Sequence, residues 1–517
     1  MKKVLALIIA VFMLLPLLAA CTVPTPGGGV TTAEGENQEP EGSKESNGGE
    51  QNDPENGGEN VGGENNSEVT TNAEAEIPEG AYYEDFVFKV LSRVSDQPTG
   101  WGNYDIVYDA ESELVVTEIK NAIKDRNDAL YNTLGVEVQQ IKGGFDQAQT
   151  SLLNNNYDYD MILVQIADAA KLAQTGLLCS TDELSYINTE KPYYDQNAID
   201  ELSIKRKTYF FFSDITVVNL DATYLLYFNH DLIEKYALEK PYELLANDAW
   251  TFNKFLSMAE AATEDPSGTD KSLDWGVAGH QDLIGSIYVG SGEKIAKKTD
   301  DGYELTMNNE RLTKIINEAI KIRPYWARYS ISKFTTSADN VLSASADNYS
   351  GLMSFYSSGK VLFMGEGLAA SRDLTYTEVE LDIGILPCPM FDDTQDRYYT
   401  PVNNIAAITC IPATVDDKAR TGVIIEYWAS ESHKTLLPAY YEQAQKSRFA
   451  KDEISPDVLD EIFDARTYDV GIAYSWGTLY DQLTALMYDG NTSFDSKYRI
   501  YGTMANSQIK TFVASFE

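Results

Sequence analysis

Soft-metal and redox chemistry have little to work with in this chain, which holds four cysteines and three histidines among 517 residues. His230, His280 and His433 stand far apart and match no zinc-ligand spacing. The stretch Asp265 to Asp270 with Asp274 echoes a calcium loop but lacks the ligand order of one, and reads as a turn. Cationic residues are scarce too: 40 Lys and Arg against 80 Asp and Glu give a formal charge of −40. A phosphate backbone repels so acidic a chain, which argues against nucleic acid as a partner. The GxSxG, Walker A, HExxH and GxGxxG patterns are missing, so nucleophilic, phosphate and dinucleotide chemistry have no foothold. Past the N-terminus no apolar run approaches the ~18 residues of a membrane span. No metal and no cofactor is expected.

What is present begins with an address. Lys2 and Lys3 precede an apolar run from Val4 to Leu17, too short to span and shaped like a secretory h-region. Leu18-Ala19-Ala20-Cys21 follows and resembles the lipobox of bacterial lipoproteins. That resemblance implies that residues 1–21 are a signal peptide and that Cys21 carries palmitate-type acyl chains as the anchor. Residues 22–80 hold 14 acidic side chains, one Lys44 and almost no large apolar group. Such a composition cannot offset the entropy of ordering, so a disordered tether is expected.

Periodic structure starts at Phe86. Phe86 to Leu91 reads as a strand, Ile119 to Leu134 as a helix stopped by Gly135, and Val136 to Gln139 as a second strand. The uninterrupted Met161-Ile162-Leu163-Val164 suits a strand covered on both faces. Strands alternating with helices imply crossovers and a mostly parallel sheet. The pattern restarts at Tyr224 to Phe228. A helix follows behind Thr251 as N-cap, then another near Leu312 to Ile320, and strands at Val361 to Met364 and Leu381 to Leu386. Two α/β lobes fit better than one sheet. Cys388 and Cys410 are either close enough to pair or, on the safer reading, buried free thiols.

Several segments, in order, resemble the extracellular solute-binding proteins of ABC importers, in the branch that takes sugars. Tyr159-Asp160-Met161-Ile162 with Ala170 to Leu178 is similar to a lobe-one segment. Tyr227-Phe228-Asn229-His230-Asp231-Leu232 is similar to a "YYN-x-D-L" segment, with His230 in place of the usual Lys. Asn247 to Thr251 resembles a "G-x-WT" helix entry without its glycine, and Ile383 to Pro387 an "IG-x-LP" strand. Asp105-Ile106 with Asp125-Arg126-Asn127 resembles a clostridial-type subgroup. The resemblance implies an α/β fold of two lobes (periplasmic-binding-protein-like, type II), each a mostly parallel sheet flanked by helices and joined by hinge strands. Lobe one would be 81–216 plus 387–450 and lobe two 217–386 plus 451–517, with crossings near Phe212 to Asp221, Leu386 to Met390 and Phe449 to Asp457.

The resemblance also implies a function: capture of a carbohydrate in the inter-lobe cleft and delivery to permease subunits. The protein would be a monomer, lipid-anchored on the outer face of a Gram-positive membrane. An anchored glycan-active enzyme, or a sensor or adhesin reusing the fold, are the rival readings, since two carboxylates suffice for glycoside hydrolysis. Sugar recognition needs flat apolar faces with carboxylates or amides beside them. Trp476 stands where sugar binders place a stacking aromatic, or else in the core. Trp101 follows the first strand at its C-terminal end, where open α/β sheets bind ligands. Trp275 and Asp282 are candidates in lobe two, as is Glu366 after its strand. Tyr399 and Asn403 come next, in what is otherwise a polar surface loop, and Asp168 is either a ligand contact or an N-cap. Trp250, Trp326 and Trp428 read as packing residues.

Overall fold

The computed structural model describes residues 73–93, 102–111, 115–266, 270–300, 302–329, 341–343, 348–371, 381–445 and 456–516. The signal peptide with Cys21, most of the expected tether and Trp101 lie outside the described residues.

Along the chain, β1 (Phe86–Ser92), helix α1 (Thr117–Leu134), β2 (Val136–Lys142), α2 (Phe145–Leu153), β3 (Met161–Gln165), α3 (Ile166–Gln174) and β4 (Phe210–Phe211) come first. A second series follows: β5 (Tyr224–Asn229), β6 (Trp275–Gly279), the hairpin β7 (Ala296–Thr299) and β8 (Gly302–Leu305), β9 (Trp326–Tyr329), β10 (Val341–Ser343), β11 (Val361–Gly367) and β12 (Ile383–Leu386). The last strands are β13 (Thr400–Pro401), β14 (Ala407–Cys410) and β15 (Arg466–Thr467).

These strands form two main sheets, in the orders β2-β1-β3-β14-β4 and β10-β9-β6-β11-β5-β12. In the first, β1, β2 and β3 are parallel and β14 runs against them. In the second, β6, β9 and β11 are parallel while β5 lies antiparallel between β11 and β12. The alternation of side chains explains the layering. Phe88, Val90, Met161 and Leu163 feed one core with Trp428, whereas Leu91, Ile162 and Val164 feed the core on the opposite face. A strand buried on both faces needs the unbroken apolar run seen at β3.

The family-like segments turn out to be joints. Thr251 caps its helix by accepting from the Lys254 N–H at 3.4 Å. Beside it the fully buried Trp250 indole donates to the Pro387 carbonyl at 2.9 Å, tying the helix entry to the end of β12. Arg126 is wholly buried and donates to the Ile215 carbonyl at 2.6 Å, the Ser432 hydroxyl at 3.0 Å and the Asp105 carbonyl. Asp105 in turn accepts from the Val217 N–H at 2.7 Å. The Arg126 guanidinium and the Asp105 carboxylate thus fix the loop after β1 to the segment that leaves the first sheet.

Two boundaries differ from expectation. The second return to the first sheet comes later than Leu386 to Met390, because Met390 still exchanges backbone bonds with Trp250 and Phe252, and the sheet is re-entered only at Ala407. The body also begins before residue 81. Lys191, almost completely buried, donates to the Glu74 carbonyl at 3.1 Å and pairs with Glu76 at 2.8 Å. Ser430 donates to the Ala73 carbonyl at 2.8 Å and Lys434 to the Glu74 carboxylate at 2.8 Å. Composition hid this, because the contacts use backbone carbonyls and acidic groups that also suit a tether. Deleting residues 73–83 is expected to lower the melting temperature by several degrees, since it takes the Glu74 carbonyl and the Glu76 carboxylate from the buried Lys191 ammonium. Deleting 22–72 is expected to leave it unchanged in a thermal melt.

Cys179, Cys388 and Cys410 are buried free thiols. Among the described residues no group of three or more His, Cys, Asp or Glu is placed to hold a metal ion, and no helix is long and apolar enough to cross a membrane.

Candidate functional site

Three strand segments meet where the two sheets adjoin. β13 pairs in parallel with β15, Thr400 opposite Arg466 and Pro401 opposite Thr467. Val402 bridges to Thr223, and the Asn403 N–H donates to the Ala222 carbonyl at 2.9 Å. The Ile166 N–H, at the start of α3, donates to the Asn404 carbonyl at 3.2 Å. The chain therefore crosses between the sheets on a narrow ladder, with the first sheet's α3 on one side and β5 on the other.

At this ladder lies a cavity of about 180 Å³. Pro401, Val402, Val289 and Ile472 give it apolar surface, and Tyr224, Tyr468 and Tyr480 give it aromatic rings ending in hydroxyls. Asn403, Asn404, Ser475 and Thr478 add neutral polar groups; Asp282, Asp469 and Asp481 add carboxylates. No Lys, Arg or His is in this lining.

Each part is positioned by its element. Asp282 is the first residue of the helix Asp282–Gly290, and Asp481 sits in the first turn of the helix Leu479–Tyr488. Gly285, one turn beyond Asp282, carries no side chain because a Cβ there would stand 2.1 Å from the Tyr480 hydroxyl. Tyr468 donates to Asp195 at 2.7 Å, and Arg466 pairs with the same carboxylate at 3.4 Å. Since Asp195 also caps the helix Gln196–Leu202, these bonds fasten β15 to the side of the first sheet. Asp469 accepts from the N–H groups of Ile295 and Gly471 at 2.6 Å each and from Ile472 at 3.3 Å.

Burial governs the electrostatics. It raises the Asp282 and Asp481 carboxyls above the ordinary carboxylate range, with no cation to oppose it. Asp469 is pushed up to about 6 by burial, and its three backbone donors pull the other way. Burial also lifts the Tyr224, Tyr468 and Tyr480 hydroxyls, so all three stay neutral donors.

Among the residues singled out from sequence, Asp282 and Asn403 line the cavity. Asp168 lies half-buried in the first turn of α3, ion-paired to Lys171 at 2.9 Å, and does not reach it. Trp275 is a core residue: it opens β6 with 1% exposure and gives its indole N–H to the Asp270 carbonyl at 3.1 Å. Glu366 is half-buried on β11, 3.8 Å from His280, and outside the lining. Tyr399 covers Gly292 and stacks with Arg397 at 4.7 Å, one residue short of β13 and also outside.

Trp476 is the instructive case. It is 2% exposed, packed edge-on against Tyr303 at 5.1 Å and Phe512 at 5.2 Å. The turn that buries it is left-handed at Ser475 (φ 48°), Gly477 (φ 62°) and Thr478 (φ 50°). Left-handed backbone at non-glycine residues is costly and marks a constrained place. Here it sends the indole into the core and leaves Ser475 and Thr478 on the cavity. Sequence reading chose the large residue of this turn and missed its small neighbours. Two Tyr-Asp dipeptides flanking the turn, Tyr468-Asp469 and Tyr480-Asp481, were the signal that could have located the site.

The family model described as bacterial extracellular solute-binding protein matches residues 121–437. Among solved structures, a cyclo/maltodextrin-binding protein complexed with maltotetraose superposes with a TM-score of 0.54 at 12% identity, covering 84% of this chain and 99% of that one. The maltose-binding protein MalE of Listeria monocytogenes, in complex with maltose, gives 0.52 at 12% identity over 82% of this chain and 98% of its own. The GacH receptor of Streptomyces glaucescens, solved unliganded and with acarbose, gives 0.51 at 14% identity over 83% and 99%. Among curated proteins none matches. At such low identity the likeness establishes the fold, two lobes joined at a hinge.

Proposed function

We propose, from the premise that this chain belongs to the bacterial extracellular solute-binding protein family, that it captures a carbohydrate between its lobes for an ABC permease. The observation that carries the proposal is the cavity at the crossing strands, where aromatic rings, amides and carboxylates converge in one place. A pyranose presents apolar C–H patches and a rim of hydroxyls. The Tyr rings suit the former, and Asp282, Asn403 and Asp481 suit the latter through charge-assisted and neutral hydrogen bonds. The saccharides bound by the structural neighbours agree with this reading: maltotetraose, maltose and acarbose.

Capture follows from the ladder. Two lobes connected by short crossing segments can rotate as rigid bodies, and a solute that contacts both favours the closed state by its differential affinity. Lobe one is read as starting near residue 73, leaving its sheet near residue 216 and re-entering it at Ala407, with residues 22–72 as tether and Cys21 as lipid anchor. Closure presents a joint surface to the permease. The solute is released unchanged, in keeping with a family of binding proteins.

A thermal-shift screen against mono- and oligosaccharides tests the proposal. Ligand present at about 100 times its Kd adds roughly 2.7 kcal/mol to the stability of the native state. At least one saccharide is therefore expected to raise the melting temperature by a few degrees and to be recovered chemically intact. Shifts confined to amino acids or peptides would overturn the carbohydrate assignment.

A further inference from the structure

The cavity at the crossing strands is small, and one of its walls is held by a steric fit. At about 180 Å³ it falls below the roughly 300 Å³ at which pockets for drug-sized ligands begin, so it has room for one sugar ring and little more. Part of the lining comes from the helix Asp282–Gly290, buried from Leu283 to Gly290, and from Tyr480 in the first turn of the helix Leu479–Tyr488. The Tyr480 phenol lies over Gly285, so closely that a Cβ there would stand 2.1 Å from its hydroxyl oxygen and 3.0 Å from the ring carbon bearing it. Ring and helix backbone are in contact, so the ring has no room to retreat from the cavity toward that helix. On the crossing strands the Tyr468 ring is also held, its hydroxyl donating to Asp195 at 2.7 Å. A second feature agrees with a short site. A row of sugar rings needs a row of flat aromatic faces, yet no tryptophan is among the described lining residues. Trp275 and Trp476 are spent in the core at 1% and 2% exposure.

We propose that the site encloses a single monosaccharide unit, and that Tyr480 resting on Gly285 sets this limit. The inference rests on the carbohydrate reading above and narrows it to ligands whose affinity is complete at one ring. A pyranose fits with an apolar face on a tyrosine ring and its hydroxyls toward Asn403 and Asp282. A second ring would project beyond the lining and add few contacts. Rotation of the lobes covers this cavity without deepening it, because the crossing strands and the helices beside the second sheet supply the lining. The cyclo/maltodextrin-binding neighbour, by contrast, holds maltotetraose.

Titration calorimetry across homologous series tests this, with glucose, galactose, mannose and xylose and the di-, tri- and tetrasaccharides of each. At least one monosaccharide is expected to bind, and its tetrasaccharide to gain less than about tenfold over it. Gly285→Ala, which drives the Tyr480 ring toward the cavity, should weaken that monosaccharide at least about tenfold. Adding Tyr480→Phe removes the clashing oxygen and should restore most of the loss. Tyr480→Ala opens the wall instead, and should raise the affinity of the disaccharide relative to the monosaccharide. A tetrasaccharide that gains tenfold or more in the unmodified protein, or binding by oligosaccharides alone, overturns the one-ring limit and leaves the carbohydrate reading standing. A Gly285→Ala protein that binds like the unmodified one, or a ratio unmoved by Tyr480→Ala, overturns the role of Tyr480 and the proposal with it. Failure of every saccharide overturns both readings.

Discussion

Replacing Arg126 by methionine is expected to lower the unfolding free energy by about 3–5 kcal/mol. The guanidinium is wholly buried, held by carbonyls of Ile215 and Asp105 and stacked on Trp428 at 5.2 Å. Methionine matches its length but leaves the Asp105 carboxylate buried without a counter-charge. Burial already raises the Asp105 carboxyl above its ordinary value against the pull of Arg126, and depresses Arg126 to about 10. Without the arginine the carboxyl rises further. An Asp whose folded pKa exceeds its unfolded one binds more protons when folded, so stability falls as pH rises through the window between them. The deficit of Arg126→Met is therefore greatest near neutral pH and shrinks as the pH is lowered toward the carboxylate range. Chemical denaturation at several pH values reads both features. A pH-independent deficit would mean that lost packing, not an orphaned charge, is the cause. Asp105→Asn in the Arg126→Met background should recover part of the loss.

The second expected result concerns the turn that shapes the cavity. Gly477→Ala should cost roughly 2–4 kcal/mol, a sum of left-handed backbone strain and overpacking. A Cβ at Gly477 would stand 2.3 Å from the Tyr501 carbonyl and 2.8 Å from the Ala505 methyl. Relief of that clash must move Ser475 and Thr478, which line the cavity, so ligand affinity should fall by at least about tenfold. Trp476→Phe is the control. It trims the packing behind the turn without forcing the backbone, and should lose stability with little change in affinity. Calorimetric titration of both variants with the same saccharide separates the two roles. If Trp476→Phe lost affinity as heavily as Gly477→Ala, the indole itself would be a ligand contact.

The legible parts of this fold were those that physics writes locally. The unbroken Met161 to Val164 run could only be a strand with two covered faces, and its residues do divide between two cores. Thr251 before Phe252 could be read as a cap because capping needs only neighbours in sequence. Asp282 and Asn403, candidates from sequence, line the cavity. The rest depends on side-chain direction, which a one-dimensional pattern does not carry. Trp275 and Trp476 have the composition of a sugar platform, yet each points away from solvent: one opens the central strand β6, the other is turned inward by left-handed backbone. The Tyr-Asp pairs at 468–469 and 480–481 line the cavity, and their order along the chain does not say which way they point. Residues 73–80 looked like tether because their contacts are made by backbone carbonyls and by lysines far along the chain.

On the proposed function, one solute sits at the crossing strands, held from both lobes. The most direct measurement is a diffraction structure grown with whichever saccharide stabilises the protein most. Electron density for a sugar ring is expected within hydrogen-bonding distance of Asp282, Asn403 and Asp481, beside β13 and β15. Density for the ring on an outer face of either sheet, with the cavity holding only water, would contradict it.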